Sequence, residues 1–451
     1  MRETREIFIT IPFLDLPRLG CHDDPWSLET LSVRQPPTPQ YSVVSLAAPS
    51  SPSLQPQGGA YGWFITGVAT WFTAMGMQGV LFSWLVVGVL HAPAEWVGIS
   101  QSAMMLPSGV LLFFGGAVAD RRDRRKLLMG LHLIATLLSV SLVIVVAYDF
   151  LSLPFLIGYA LGMGSVQAFV MPARDSLLSE VAGPNLLRAV AGLNLAQWGT
   201  QALGALIAGA ARWIGTAPAL GLHALTLLSG IAALYKLPPA PPHGGTAQHP
   251  LRLVDVMAGM REVIGSPVLL PVFLLVSAVG ILFIGPFVVV LPILVRDYYG
   301  GDVGQLALLN MAFPTGTILG SLVMLWRGRL RRKGAAQLMA LASGASCLVA
   351  VAQGLPLWGT LVAIVLWGMG AAVFVNTGRT IFQERAQPSH RARVFAAYSF
   401  GFMAAAGLLG APLSGVVVKQ FGPLTTCAIV GGTMLVVVAC VLLFTNVRRM
   451  E

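Results

Sequence analysis

From Tyr61 onward the chain consists of apolar runs about twenty residues long, separated by breaks of only a few polar residues. A helix of ~20 residues rising 1.5 Å per residue spans the ~30 Å hydrocarbon layer of a bilayer. In lipid a spanning segment must satisfy its backbone hydrogen bonds internally, so each run is read as a helix. The runs fall at about 61–90, 96–119, 127–147, 151–173, 189–211, 216–235, 267–295, 303–326, 335–353, 356–378, 394–418 and 423–446. Charged residues make up only 10% of the chain and hydrophobic ones 56%, against roughly 25% charged in a soluble domain. The expected fold is an all-α integral membrane protein with twelve transmembrane helices in two six-helix, pseudo-symmetric bundles.

The net charge is +10, and the placement of the cations gives it meaning. With a cytoplasmic N-terminus, only Arg212, Arg296 and Lys419 of the 28 Lys and Arg fall on the outer side. That asymmetry sets topology, with both termini cytoplasmic, and favours contact with anionic membrane lipids rather than nucleic acid. The four cysteines form no CxxC or Cys/His spacing, so no metal or other cofactor is expected.

The domain reading is a disordered cytoplasmic tail over 1–58, rich in Pro, Ser and Gln, a first bundle over 59–236 and a linker over 237–265. A second bundle follows over 266–447, and 448–451 form a cytoplasmic C-terminus. In the linker, Leu253, Val256, Met257, Met260 and Ile264 share one face at helical spacing, which predicts an amphipathic helix on the membrane surface. The halves also repeat. "GGAVADRRDRRK" at 115 is answered by "GSLVMLWRGRLRRK" at 320, Arg174 by Arg379, and Gly204 and Gly209 by Gly410 and Gly415. A near-constant offset of 204 to 207 points to a parallel duplication.

Three groups of residues carry candidate chemistry. In the first loop Gly116 allows close packing, Asp120 can accept from cations or helix N-termini, and Arg121, Arg124 and Arg125 follow. The loop is either a pin that favours one of two states or a plain solvated anchor. At the end of the fourth span, where Pro172 is expected to stop the helix, Arg174, Asp175 and Glu180 form a charged set, with Asp175 and Glu180 also near Arg188. Arg379, Glu384, Arg391 and Arg393 repeat it in the second half. Pairs between bundles there would gate the cytoplasmic side, and pairing within helix ends is the other reading. Mid-membrane, Asn194, Gln197 and Gln201 share a face of the fifth span beside Trp198. Gln78, Trp84, Gln167, Asn310, Asn376 and Tyr398 are further polar or aromatic points. They line a substrate cavity or serve as interhelical glue. All 18 carboxylates lie outside the apolar spans, leaving only His132 and His223 mid-span, both more readily packed than proton-relaying.

"GGAVADRRDRRK" resembles the loop 2–3 signature of the major facilitator superfamily, although Asp123 or Arg124 stands where that signature commonly has its second Gly. The resemblance implies that Gly116 and Asp120 gate alternating access. "MPARDSLLSEVAGPNLLRAVAGLN" and "ERAQPSHRARVFAAYSFGF" look like helix ends of the drug and siderophore exporter branch, which includes enterobactin exporters and macrolide efflux proteins. It implies a secondary transporter in a bacterial-type inner membrane, exporting a small amphipathic molecule; a monomer is expected, with a proton as one candidate for the coupling ion. A lysolipid translocator on the same scaffold and a non-transporting scaffold or sensor are the alternatives. No nucleotide-binding loop accompanies these features.

Overall fold

The computed structural model describes residues 58–182, 186–240, 253–267, 269–328, 332–385, 391–445 and 447. The expectations for the 1–58 tail and for 448–451 lie outside them. Among the described residues the chain is helical, and its long rods follow the apolar runs. The first half comprises α1 (Gly58–Trp84), which continues through a π-helical turn at Leu85–Val89, α2 (Ala94–Arg121), α3 (Arg124–Ala147), α4 (Leu153–Val181), α5 (Leu186–Ala208), a short α6 (Ala211–Ile214) and α7 (Thr216–Tyr235). After α8 (Leu253–Gly265), α9 (Leu269–Val279), a π turn at Gly280–Ile284 and α10 (Gly285–Asp297) form one span. Then come α11 (Val303–Arg327), α12 (Lys333–Val351) and α13 (Leu357–Arg385). α14 (Arg391–Ala405) runs through a π turn at Ala406–Gly410 into α15 (Ala411–Phe444).

Nine described helical stretches are long and apolar enough to cross a membrane. The last, Tyr398–Phe444, breaks at Gly422 (φ 77°) and therefore holds two spans. α2 and α5, of 28 and 23 residues, complete twelve rods of spanning length.

The repeat seen in sequence is a repeat of packing. In the first half α2 packs on α4, α1 on α5 and α3 on α7; in the second, α11 packs on α13, α14 on α9, and α12 on α15. Glycines set the contacts. A methyl group on Gly204 would lie 1.9 Å from the Thr73 carbonyl oxygen of α1, and one on Gly410 would lie 2.7 Å from the Gly280 carbonyl oxygen. Gly209 abuts Ala307 and Gly304 of α11, while Gly415 abuts Ala94 and Glu95 of α2. The latter two contacts join the halves, so each half meets the other through the same part of its repeat.

Pro172 does not end the fourth span; α4 runs on to Val181. Proline has no N–H for the carbonyl of residue i−4, here Ala168. That carbonyl is the one Gly115 of α2 packs against, where a Cβ would come within 2.3 Å of it. The missing hydrogen bond thus falls where α2 presses closest, and a membrane helix tolerates it.

α8 forms where the linker pattern predicts a helix. It packs against α14, with Val263 fully buried and Met260 packed on the core, while Met257 and Ile264 of the expected apolar face are exposed. The helix is thus docked on protein along one edge of that face.

Candidate functional site

The α2–α3, α4–α5, α11–α12 and α13–α14 connections and the end of α7 share one side of the molecule, termed the basic face; the α1–α2, α3–α4, α5–α7, α10–α11 and α12–α13 loops lie on the opposite face. Polar groups occur at three levels: the basic face, mid-membrane and the opposite face.

At the basic face the α2–α3 loop ties the first half to itself. Asp123 caps α3 by accepting from the Lys126 amide at 3.1 Å. Arg124 is buried at 2% exposure, donates to Ser176 at 2.8 Å and pairs with Glu180 of α4. Arg125 donates to the Tyr235 carbonyl oxygen of α7 at 2.7 Å. Arg121 is exposed, and a methyl group on Gly116 would meet nothing within 4 Å. The side chains of Asp120, Glu384 and Arg393 lie outside the described residues. Arg174, 8% exposed, donates to Asp175 at 2.6 and 2.8 Å and to Gln197 Oε1 of α5 at 3.0 Å, with its guanidinium 5.3 Å from the Phe72 ring. Arg379, its repeat counterpart, is exposed. The sequence reading left open pairs between bundles and pairing within helix ends, and set Asp175 and Glu180 near Arg188. In the structure Arg174–Asp175 and Arg124–Glu180 lie within the first half, because α3 brings Arg124 beside the last turn of α4.

Mid-membrane, the predicted cavity residues divide. Gln197 is engaged by Arg174. Gln78 is buried, donates to Met104 Sδ at 3.3 Å and leaves its Oε1 without a partner; the half-buried Gln167 also has an unpartnered Oε1. Gln78 stands eleven residues from Val89, the end of the π turn that extends α1, and Met104 and Gln167 stand ten and fourteen from the starts of α2 and α4, so all three lie at mid-depth. Asn310 donates to Leu306 of its own helix at 3.0 Å, and Asn376 reaches Met324 Sδ at 3.8 Å. Tyr398 is buried against Phe382, with ring centroids 4.9 Å apart. Trp84, Trp198 and Gln201 are half-buried and Asn194 is exposed. On the α5 face that Asn194 and Gln201 share, Ala205 and Ala208 are 2% and 0% exposed. Packing on that face tightens away from the basic end. His132 and His223 are buried, His132 with Nδ1 2.8 Å from the Leu128 carbonyl oxygen and its ring edge-on to Trp71.

The opposite face holds what the sequence reading missed. Lys419 Nζ lies 2.7 Å from Glu95 Oε1, and Arg212 Nε lies 3.4 Å from Asp302 Oδ2. Between described residues these are the ion pairs that join the halves. Asp302 also caps α11, accepting from the amides of Gly304 and Gln305. Arg296 of α10 donates to the carbonyl oxygens of Val87 and Ala92, both at 3.3 Å. The three cations on the sparse side of the charge count are therefore the three that tie one half to the other. Lys419 stands 207 residues after Arg212, and Asp302 stands 207 after Glu95. The two pairs are images of each other under the internal repeat. Applying the repeat offset to the outer loops would have revealed them.

A sequence profile described as Major Facilitator Superfamily matches residues 63–407 and 287–451. The chain belongs to the major facilitator superfamily. Solved structures agree in fold. The chain is similar to the nucleoside transporter NupG (TM-score 0.70, 12% identity, covering 86% of this chain and 99% of that one). It is also similar to a POT family transporter in complex with 5-aminolevulinic acid (0.66, 14%, 86% and 96%). A third is a bacterial homolog of the human lysosomal transporter Spinster in an inward-facing, unoccupied conformation (0.61, 14%, 88% and 97%). No curated protein matches the sequence. As a major facilitator protein, the chain is a membrane-spanning transporter.

Proposed function

We propose that this major facilitator protein is a secondary active exporter of a small amphipathic organic molecule, working by alternating access, and that the structure is its state open toward the basic face. The observation that carries the reading is the latch on the opposite face. Glu95–Lys419 and Asp302–Arg212 close the halves on one side, while the α5 face holding Asn194 loosens toward the other. A rocking transporter must break the first contact and form a second at its other end. The charge asymmetry assigns the basic face to the cytoplasm. The export direction rests on the likeness of 171–194 and 384–402 to the siderophore and drug exporter branch. The unpartnered amide oxygens of Gln78 and Gln167 supply hydrogen-bond acceptors at mid-depth for such a substrate. With no carboxylate in the apolar interior of the spans, a coupling proton would act at helix ends, where Asp175, 60% exposed, is within reach of solvent.

The test is flux in proteoliposomes with and without an imposed pH gradient, using amphipathic dyes and siderophore-like chelators as substrates. Accumulation driven by the gradient and abolished by a protonophore is expected. Flux indifferent to every ion gradient would overturn secondary coupling, and uptake in the reverse orientation would overturn export.

A further inference from the structure

The outer surfaces of α3 and α7 lead to one cluster at the basic face. On α3, Leu133, Leu137 and Val140 are exposed in register with Lys126; on α7, Leu228 is exposed in register with Tyr235. On rods that cross a membrane these exposed leucines and valines face acyl chains, and α3 and α7 pack side by side. Their basic-face ends, with Trp63 of α1, bring three cations and two aromatic rings together. Lys236 Nζ lies 4.0 Å from the centre of the Trp63 ring, and the Arg125 guanidinium lies 5.2 Å from that of Tyr235. Arg125 is fixed by its bond to the Tyr235 carbonyl oxygen, yet its Nε has no partner. Lys126 and Lys236 are exposed and form no ion pair with a described residue. The nearby Asp123 is committed to capping α3. The segment after α7 is held over the start of α3 by a hydrogen bond from the Arg124 amide to the Ala240 carbonyl oxygen at 3.2 Å, with Leu237 and Ala240 buried.

We propose that this α3–α7 edge binds an anionic phospholipid. Arg125, Lys126 and Lys236 receive its phosphate, Trp63 and Tyr235 sit at headgroup level, and the acyl chains lie along the apolar stripes of α3 and α7. The chemistry is that of a basic pocket between helices flanked by interfacial aromatics. Among the described residues no carboxylate pairs with Lys126 or Lys236, and Arg125 and Lys236 are held against Tyr235 and Trp63 before any ligand arrives. A free phosphate would use only the cations, whereas a lipid also uses the stripes, and the stripes decide for the lipid.

The experiment is native mass spectrometry of the full chain in detergent, titrated with phosphatidylglycerol and, separately, with phosphatidylcholine. A cation that receives the phosphate contributes about fivefold to anionic lipid affinity, so the double variant Lys126→Gln/Lys236→Gln should weaken phosphatidylglycerol binding about 30-fold. The control Arg327→Gln/Arg332→Gln, on the other basic loop, should bind as wild type does. Equal loss in the control would show diffuse attraction and overturn the site, as would undiminished binding by the double variant. Glycerol 3-phosphate binding as tightly as the intact lipid would overturn the lipid assignment. Thermal melting checks the fold. If the double variant fails to fold, Lys236→Gln alone should still lose about fivefold, and no loss there would overturn the proposal.

Discussion

Arg174 carries a full charge at 8% exposure inside a membrane protein, and three neighbours make that tolerable: the Asp175 carboxylate, the Gln197 amide oxygen and the face of Phe72. The sequence placed Asn194, Gln197 and Gln201 on one face of a helix, and they are there. What it could not assign was which amide is already taken, because the packing of α4 against α5 decides that. Gln197→Leu should leave a buried guanidinium N–H without its acceptor and cost about 1–3 kcal/mol, read as a lower melting temperature in detergent. Asn194→Leu alters an exposed side chain that bonds to no described residue. It should leave the melting temperature unchanged and shift the apparent substrate affinity in the proteoliposome assay. Equal melting losses in both variants would assign Asn194 to packing as well.

Among the elements, backbone contact between helices is the most exacting requirement. Gly76 and Gly204 bring α1 and α5 together so closely that added methyl groups would lie 2.0 Å from the Gln201 carbonyl oxygen and 1.9 Å from that of Thr73. Neither backbone atom can retreat without separating the helices, so Gly76→Ala or Gly204→Ala should destabilise by about 1–3 kcal/mol. Gly79 and Gly199, close by on the same helices, meet nothing within 4 Å. Alanine there should be neutral or stabilise by up to about 1 kcal/mol through helix propensity. Thermal unfolding of the four variants checks this, and a Gly76→Ala protein melting with wild type would refute the close approach. The boundaries of the spans were legible because hydropathy and length fix them. The extension of α4 past Pro172 was not, since it depends on Gly115 of another helix leaving room for the freed carbonyl.

At the scale of the whole molecule the duplication was readable from the basic face, where "GGAVADRRDRRK" and its copy align. The functional consequence lies on the other face, where no motif marks it. Glu95 and Lys419 are 324 residues apart in the chain, and only the packing of the halves about a two-fold relation makes them neighbours. Charge counting singled out Arg212, Arg296 and Lys419 as exceptions to a topology rule. An exception that carries the cost of translocation calls for a compensating role, and closing the outer face supplies one.

That role sets a quantitative expectation for the equilibrium between the two states. Three of the four latch side chains are well exposed, Lys419 at 62% and Arg212 and Asp302 at 44% each, and Glu95 is half-buried at 27%. Each such pair is therefore worth about 0–1 kcal/mol. Lys419→Gln and Arg212→Gln should each move the population toward the outward-open state by at most about fivefold. Because the repeat relates the two pairs, the shifts should be similar in size, and with no shared partner they should add in the double variant. Spin labels at His91→Cys and Phe421→Cys, one on each half at the opposite face, would read the two populations as two distances in a background freed of native thiols. Raising the ionic strength should shift the wild type the same way, since the Debye length falls to about 3 Å at 1 M salt. The double variant should lose most of that salt response and keep a residual bias from Arg296, whose bonds to the Val87 and Ala92 carbonyl oxygens need no opposite charge. A double variant as salt-sensitive as wild type would place the latch elsewhere.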